Sequence, residues 1–176
     1  MTLLDSIQKD YALIDKAAAE FLSTLPGENF TRVIALAAEI AGLQLLRATQ
    51  MDLSQFPPGS ALLGAVSDEA YEPMQQFVYR WTMSNGLSDT GEVDVPADAT
   101  GYLPEVAQHE LAFRAICERH DLPVAYYPYA AAVTALKLVL AGERLKLLEP
   151  NVGLTTMVYH VIVGSKTAPC PAGAEG

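Results

Sequence analysis

The residues best equipped for chemistry in this chain crowd into one stretch. HELAFRAICERH, residues 109–120, carries two of the three histidines and one of the two cysteines. On a helix His109, Phe113, Cys117 and His120 follow steps of four, four and three, so they share one stripe. Cys117 and His120 could then offer a thiolate and an imidazole to the same metal ion. A structural zinc site needs four ligands, and a catalytic one needs three and a water. His109 lies about 12 Å along the axis from Cys117 at 1.5 Å per residue, too far to join that ion. A third ligand would have to come from another helix, and His160 or Glu39 is the residue suited to it. The stripe is also the apolar one, shared with Val106 and Ile116. The plainer reading is structural: Cys117 is a small core residue, and His120 is a last-turn imidazole near exposed carbonyls. The expectation is therefore no bound metal and no cofactor.

Glu39 is the second residue of interest, because it sits between the apolar runs VIALAA and IAGLQLL. An ionised carboxylate inside such a helix is costly unless it is paired or hydrogen-bonded. Arg32 lies seven residues before it and Arg47 eight after, on the same general side but outside the i, i+4 spacing of a close partner. The expected outcome is a structural partner from another helix or subunit. The functional alternatives are a general base whose pKa is raised by burial, or a metal ligand. Tyr126, Tyr127 and Tyr129 flank Pro128 and form the densest aromatic cluster. Tyrosines combine an apolar body with a polar tip, which suits the rim of a core, a subunit contact or, as the rival reading, a ligand pocket.

Other catalytic patterns fail on spacing. No Glu-x-x-His occurs, which removes the di-iron bundle. The sequences around Ser60 and Ser88 miss G-x-S-x-G, and VGSKT at 163–167 lacks the first glycine of a phosphate loop. No G-x-G-x-x-G is present.

The elements that must position these residues read as helices. Leu4, Ile7, Tyr11, Ile14, Ala18, Phe21 and Leu25 recur at helical steps and predict one amphipathic helix over 3–25, stopped by Pro26-Gly27. NFTRVIALAAEIAGLQLLRATQM follows, with only Glu39 and Gln44 polar between Arg32 and Arg47. Those two stand about 140° apart around the axis and cannot share one solvent stripe, so this helix is expected to be central. After a break at Pro57-Pro58-Gly59, a third helix is predicted from near Pro73 to Asn85, with Met74, Phe77, Val78 and Trp81 inward. Residues 87–102 read as a surface loop long enough to serve as a lid or contact arm, or simply as a solvated connection. A fourth helix is expected from Pro104 to His120, and a second innermost helix from Pro128 to Ala141. The segment from Asn151 to about 166 is rich in β-branched residues, so a strand is the alternative there. Helix is preferred because no second strand of comparable strength is available to pair with it.

The fold class expected is all-α: a single-domain bundle of five or six helices over 1–168, with 169–176 as a flexible tail. Hydrophobic residues make up 51% and charged residues 18%, less charge than the ~25% of an ordinary soluble domain. Much apolar surface must be hidden in a core, or in a core plus an interface. A net charge of −10 without any basic run argues against nucleic acid as a partner. The apolar stretch from Val124 is broken by Pro128 and carries Lys137, so no membrane span is expected. Two cysteines and an N-terminus without signal-peptide character suggest the cytoplasm. The functional expectation is a non-enzymatic interaction or assembly protein that self-associates or binds a protein partner. Its rival is a helical-bundle small-molecule or metal binder, or an enzyme, with its site in the bundle core.

Overall fold

A computed structural model describes residues 1–87 and 101–171. Seven α-helices form the described part: α1 (Leu3–Lys9), α2 (Tyr11–Thr24), α3 (Phe30–Ala48), α4 (Asp68–Ser84), α5 (Val106–Arg119), α6 (Tyr127–Arg144) and α7 (Pro150–Ser165). The chain is all-α. The count exceeds five or six because the helix expected over 3–25 divides at Asp10. Thr2 and Asp5 close a reciprocal cap over the first turn of α1, and Asp10 ends that helix while starting the next. The break leaves the Asp10 carboxylate free to accept a 3.0 Å hydrogen bond from the Tyr126 hydroxyl.

Helix α3 is the axis of the molecule. Every residue from Val33 to Leu46 is buried, as expected for a helix with no solvent stripe. Its N-terminus is capped by Asn29, whose side chain accepts from the Arg32 N–H at 3.3 Å. Helices α6 and α7 cover most of its surface. Helix α6 is buried over most of its length, with Ala130, Ala131, Ala132, Val133, Ala135 and Leu136 fully buried. With the preceding turn it is long and apolar enough to cross a bilayer, but 72% of that window is buried within the protein.

The strand alternative for the last segment is overturned, since Pro150–Ser165 is helical. Pro150 takes a first-turn position, where its missing N–H costs nothing. No strand is present among the described residues to pair with it. The backbones of α3 and α7 touch at two glycines. A Cβ on Gly42 would fall on the Val161 carbonyl oxygen and within 2.7 Å of Ser165 N. One on Gly164 would fall on the Glu39 carbonyl. Only glycine permits this approach, and it is the approach that brings Glu39 to α7.

Helix α4 begins at Asp68, five residues before the start expected at Pro73. Asp68 and Glu69 favour a helix N-terminus electrostatically, and Pro73 lies inside the helix, where it gives up the bond that an N–H there would make to the Glu69 carbonyl. Beyond α7, the chain runs beside residues 59–62: Gly59 N donates to Ala168 O at 2.8 Å, and Ala168 N to Ser60 O at 2.9 Å. Of the loop expected over 87–102, residues 88–100 lie outside the described residues, as do residues 172–176 of the expected tail.

Candidate functional site

Two buried polar arrangements and one apolar cleft are the features that could work as sites. The first arrangement joins Glu39 on α3 to His160 on α7, both fully excluded from solvent. Glu39 Oε1 shares a 2.7 Å hydrogen bond with His160 Nδ1, and Oε2 accepts from the Leu103 N–H at 3.0 Å. Burial pushes the Glu39 carboxyl above the usual carboxylate range, while the hydrogen bonds from His160 and from the Leu103 N–H pull it partly back. His160 Nε2 has no hydrogen-bond partner among the described residues, nor does Thr156 Oγ1 one turn earlier on the same helix. A carboxylate that orients an imidazole through Nδ1 is the arrangement of a general base. Here both groups are sealed in the core, and both carboxylate oxygens are already engaged.

The second arrangement was not read from the sequence. Glu110, on α5, is buried and accepts from Arg47 Nε at 2.5 Å, from Arg47 through its second oxygen at 2.8 Å, and from Gln44 Nε2 at 2.7 Å. Arg114 donates to Gln44 Oε1 at 2.9 Å and lies over the Tyr127 ring at 5.3 Å. Its signal was present. Gln44 and Arg47 are three apart on α3, and Glu110 and Arg114 are four apart on α5, so each helix offers a matched polar pair on one face. Burial pushes the Tyr102 hydroxyl up to about 12, and that hydroxyl accepts from the Cys170 N–H at 3.4 Å.

The HELAFRAICERH stripe does not assemble a metal site. Cys117 is buried and its thiol is pushed up to about 12 by desolvation. His120 turns outward to Glu20, with Nε2 2.6 Å from Oε2, and Arg119 binds the same carboxylate. The hydrogen bonds from His120 and Arg119 hold the exposed Glu20 carboxyl below its ordinary range. His109 lies on the half-exposed side of α5. Glu39 and His160, suggested as outside ligands for Cys117 and His120, meet each other instead. No group of three metal-ligating side chains occurs among the described residues. The tyrosines likewise part company, because positions 126, 127 and 129, one before and two within the first turn of α6, point in different directions. Tyr126 bonds Asp10, Tyr127 packs edge-on to Phe113, and Tyr129 packs edge-on to Phe77 with its hydroxyl pushed up to about 12 by burial. None of them lines the cleft described next.

The cleft lies between α4 and α7 and encloses about 520 Å³. Tyr71 of α4 hydrogen-bonds Ser165 of α7 at one end. Toward the other end of α4, Trp81 Nε1 donates to the Tyr11 hydroxyl at 2.8 Å, which ties this end to α2 and not to α7. Among the described residues, Tyr71–Ser165 is the side-chain hydrogen bond that joins α4 to α7. Met74, Val78, Met157 and Val161 form the walls, and Leu87 and Leu154 stand at the far end. The rim is apolar and open: Val158 is 47% exposed, Ile162 42%, and Tyr79 and Met83 more than half. Helix α7 carries no Asp, Glu, Lys or Arg, and its polar side chains are Asn151, Thr155, Thr156, Tyr159, His160 and Ser165. The apolar residues of this cleft carry no signal of a site in the sequence, because each one alone looks like an ordinary core position.

Comparison with known proteins returns no similarity: no family model, no curated protein and no solved structure matches this chain.

Proposed function

We propose that this protein is a non-catalytic assembly protein that self-associates through the outer face of α7. The observation that carries the reading is a charge-free helix with one side uncovered. Val158, Tyr159 and Ile162 stand 38–47% exposed along it, beside Tyr79 and Met83 of α4. A helix with no charged face is stable in water only when most of its surface is buried. Contiguous exposed apolar surface of this kind marks an interaction site on a soluble domain. The low proportion of charged residues points the same way. Catalysis is disfavoured by the position of the acid–base pair, since a substrate could reach Glu39 or His160 only by separating α3 from α7.

Light scattering coupled to size exclusion tests this reading. The wild type should elute as a dimer or higher oligomer at micromolar concentration, and Ile162→Asp should elute as a folded monomer. A wild type that is strictly monomeric in that range would exclude it.

A second reading is favoured by the cleft itself, which is concave and falls within the ~300–1,000 Å³ range of small-molecule pockets. In this reading the protein binds a small apolar molecule between α4 and α7. Native mass spectrometry of freshly purified protein should then show a retained ligand mass.

A further inference from the structure

We propose that the α4–α7 cleft binds a single-chain amphiphile with a carboxylate head, the head at Lys166 and the hydrocarbon chain between Met74 and Met157. This inference rests on the second reading above, that the cleft takes a small molecule. The cleft has one polar end. Tyr71 and Ser165 join the two helices there, and Lys166 is the next residue after Ser165. Lys166 is half-buried and is the one cation on the lining, and its ammonium makes no ion pair among the described residues. Of the remaining lining, Asp68, Gln75, Tyr79 and Thr82 of α4 carry polar groups and the rest is apolar. The geometry is that of a chain-shaped ligand: one head position, then a hydrocarbon path.

The wall residues suit a flexible chain. Three of the five methionines in the protein line the cleft: Met74, Met83 and Met157. Each carries an unbranched thioether that adapts to a chain with many conformers, and Val78, Val158, Val161 and Ile162 supply much of the remaining apolar wall. The head chemistry follows from the charges at the mouth. Asp68, one turn before Tyr71, is the one acid on the lining. It is solvent-exposed, whereas Lys166 is half-buried, so an ion pair with Lys166 is the less screened of the two. Asp68 also limits how much negative charge the head can carry. A monoanionic carboxylate fits that mouth, and a phosphate dianion would be repelled.

Calorimetric titration of the full chain with dodecanoate, dodecan-1-ol and dodecyltrimethylammonium, each below its aggregation threshold, tests the assignment. Dodecanoate should bind at least tenfold more tightly than the alcohol, and the cation should bind weakest. Lengthening or shortening the carboxylate by one methylene should change its affinity about fourfold until the cleft is filled. Lys166→Gln should bring dodecanoate to within about threefold of the alcohol and leave alcohol binding unchanged. Val78→Trp should fill the cleft and abolish binding of all three, with an unaltered urea midpoint showing that the variant is folded. Equal binding of acid and alcohol, or tightest binding of the cation, would overturn the head assignment while leaving the cleft a binding site. No binding by any of the three would overturn both.

Discussion

Glu39 offers the sharpest test, because its partners are named and its surroundings are dry. Replacing it with alanine strands two buried groups, His160 Nδ1 and the Leu103 N–H. Each unsatisfied group costs about 1–3 kcal/mol, and breaking a buried pair from one side costs about 3–5 kcal/mol in total. Glu39→Ala should therefore destabilise the fold by about 4 kcal/mol. Glutamine keeps more of the arrangement. Its amide oxygen can accept from Leu103, and its amide nitrogen can donate to Nδ1 if the imidazole proton moves to Nε2, which has no acceptor among the described residues. Glu39→Gln should cost about 1–2 kcal/mol. Leucine fills the space but still strands His160, so Glu39→Leu should cost about 3 kcal/mol. In Glu39→Leu/His160→Leu the imidazole is gone as well but the Leu103 N–H stays unpaired, so the variant should recover part of the loss and remain about 1–3 kcal/mol below wild type. Urea unfolding followed by circular dichroism measures all four variants. A stabilising Glu39→Leu, or a Gln variant as costly as the Ala variant, would refute the pairing. Changes below about 0.5 kcal/mol throughout would mean that Glu39 is not buried at all.

Four further outcomes are expected. Because the Glu39 carboxyl is raised in the folded state, the native protein keeps its proton after the unfolded chain has lost one. The stability of wild type relative to Glu39→Gln should fall as pH rises above the ordinary value of 4.5 and level off above the folded pKa, as read from urea midpoints at stepped pH. Gly42→Ala and Gly164→Ala place a methyl group against backbone and should each cost about 3 kcal/mol despite the better helix propensity of alanine; no loss in thermal melts would contradict the close crossing. Glu110→Ala should cost about 2 kcal/mol, because it leaves Gln44 and a partly exposed Arg47 without their acceptor, and the same loss should appear only once in Glu110→Ala/Arg47→Ala. Cys117, with its thiol near 12 and buried, should react with a thiol reagent only on unfolding, whereas Cys170 should react in the native protein.

Helical periodicity and the shortage of charge were enough to determine the class of fold and which two helices lie innermost, since both properties belong to each segment by itself. The burial of Glu39 was legible for the same reason: no placement of a helix flanked by VIALAA and IAGLQLL leaves its carboxylate in water. The helix start at Asp68 and the break at Asp10 were not legible, because a proline and a continuous apolar stripe were the strongest local signals there, and neither boundary carries a side-chain cap that would have marked it. The site residues divide in the same way. His160, Cys117 and His120 were recognisable as reactive types, but which of them meet depends on the crossing of α3 and α7, and that crossing is set by two glycines 122 positions apart that let backbones touch. The pairing of Gln44 and Arg47 with Glu110 is likewise a property of two helices at once. The cleft is the extreme case, since it is the space left between α4 and α7 beyond the Tyr71–Ser165 contact, and no residue in a linear sequence records the distance from one helix to another.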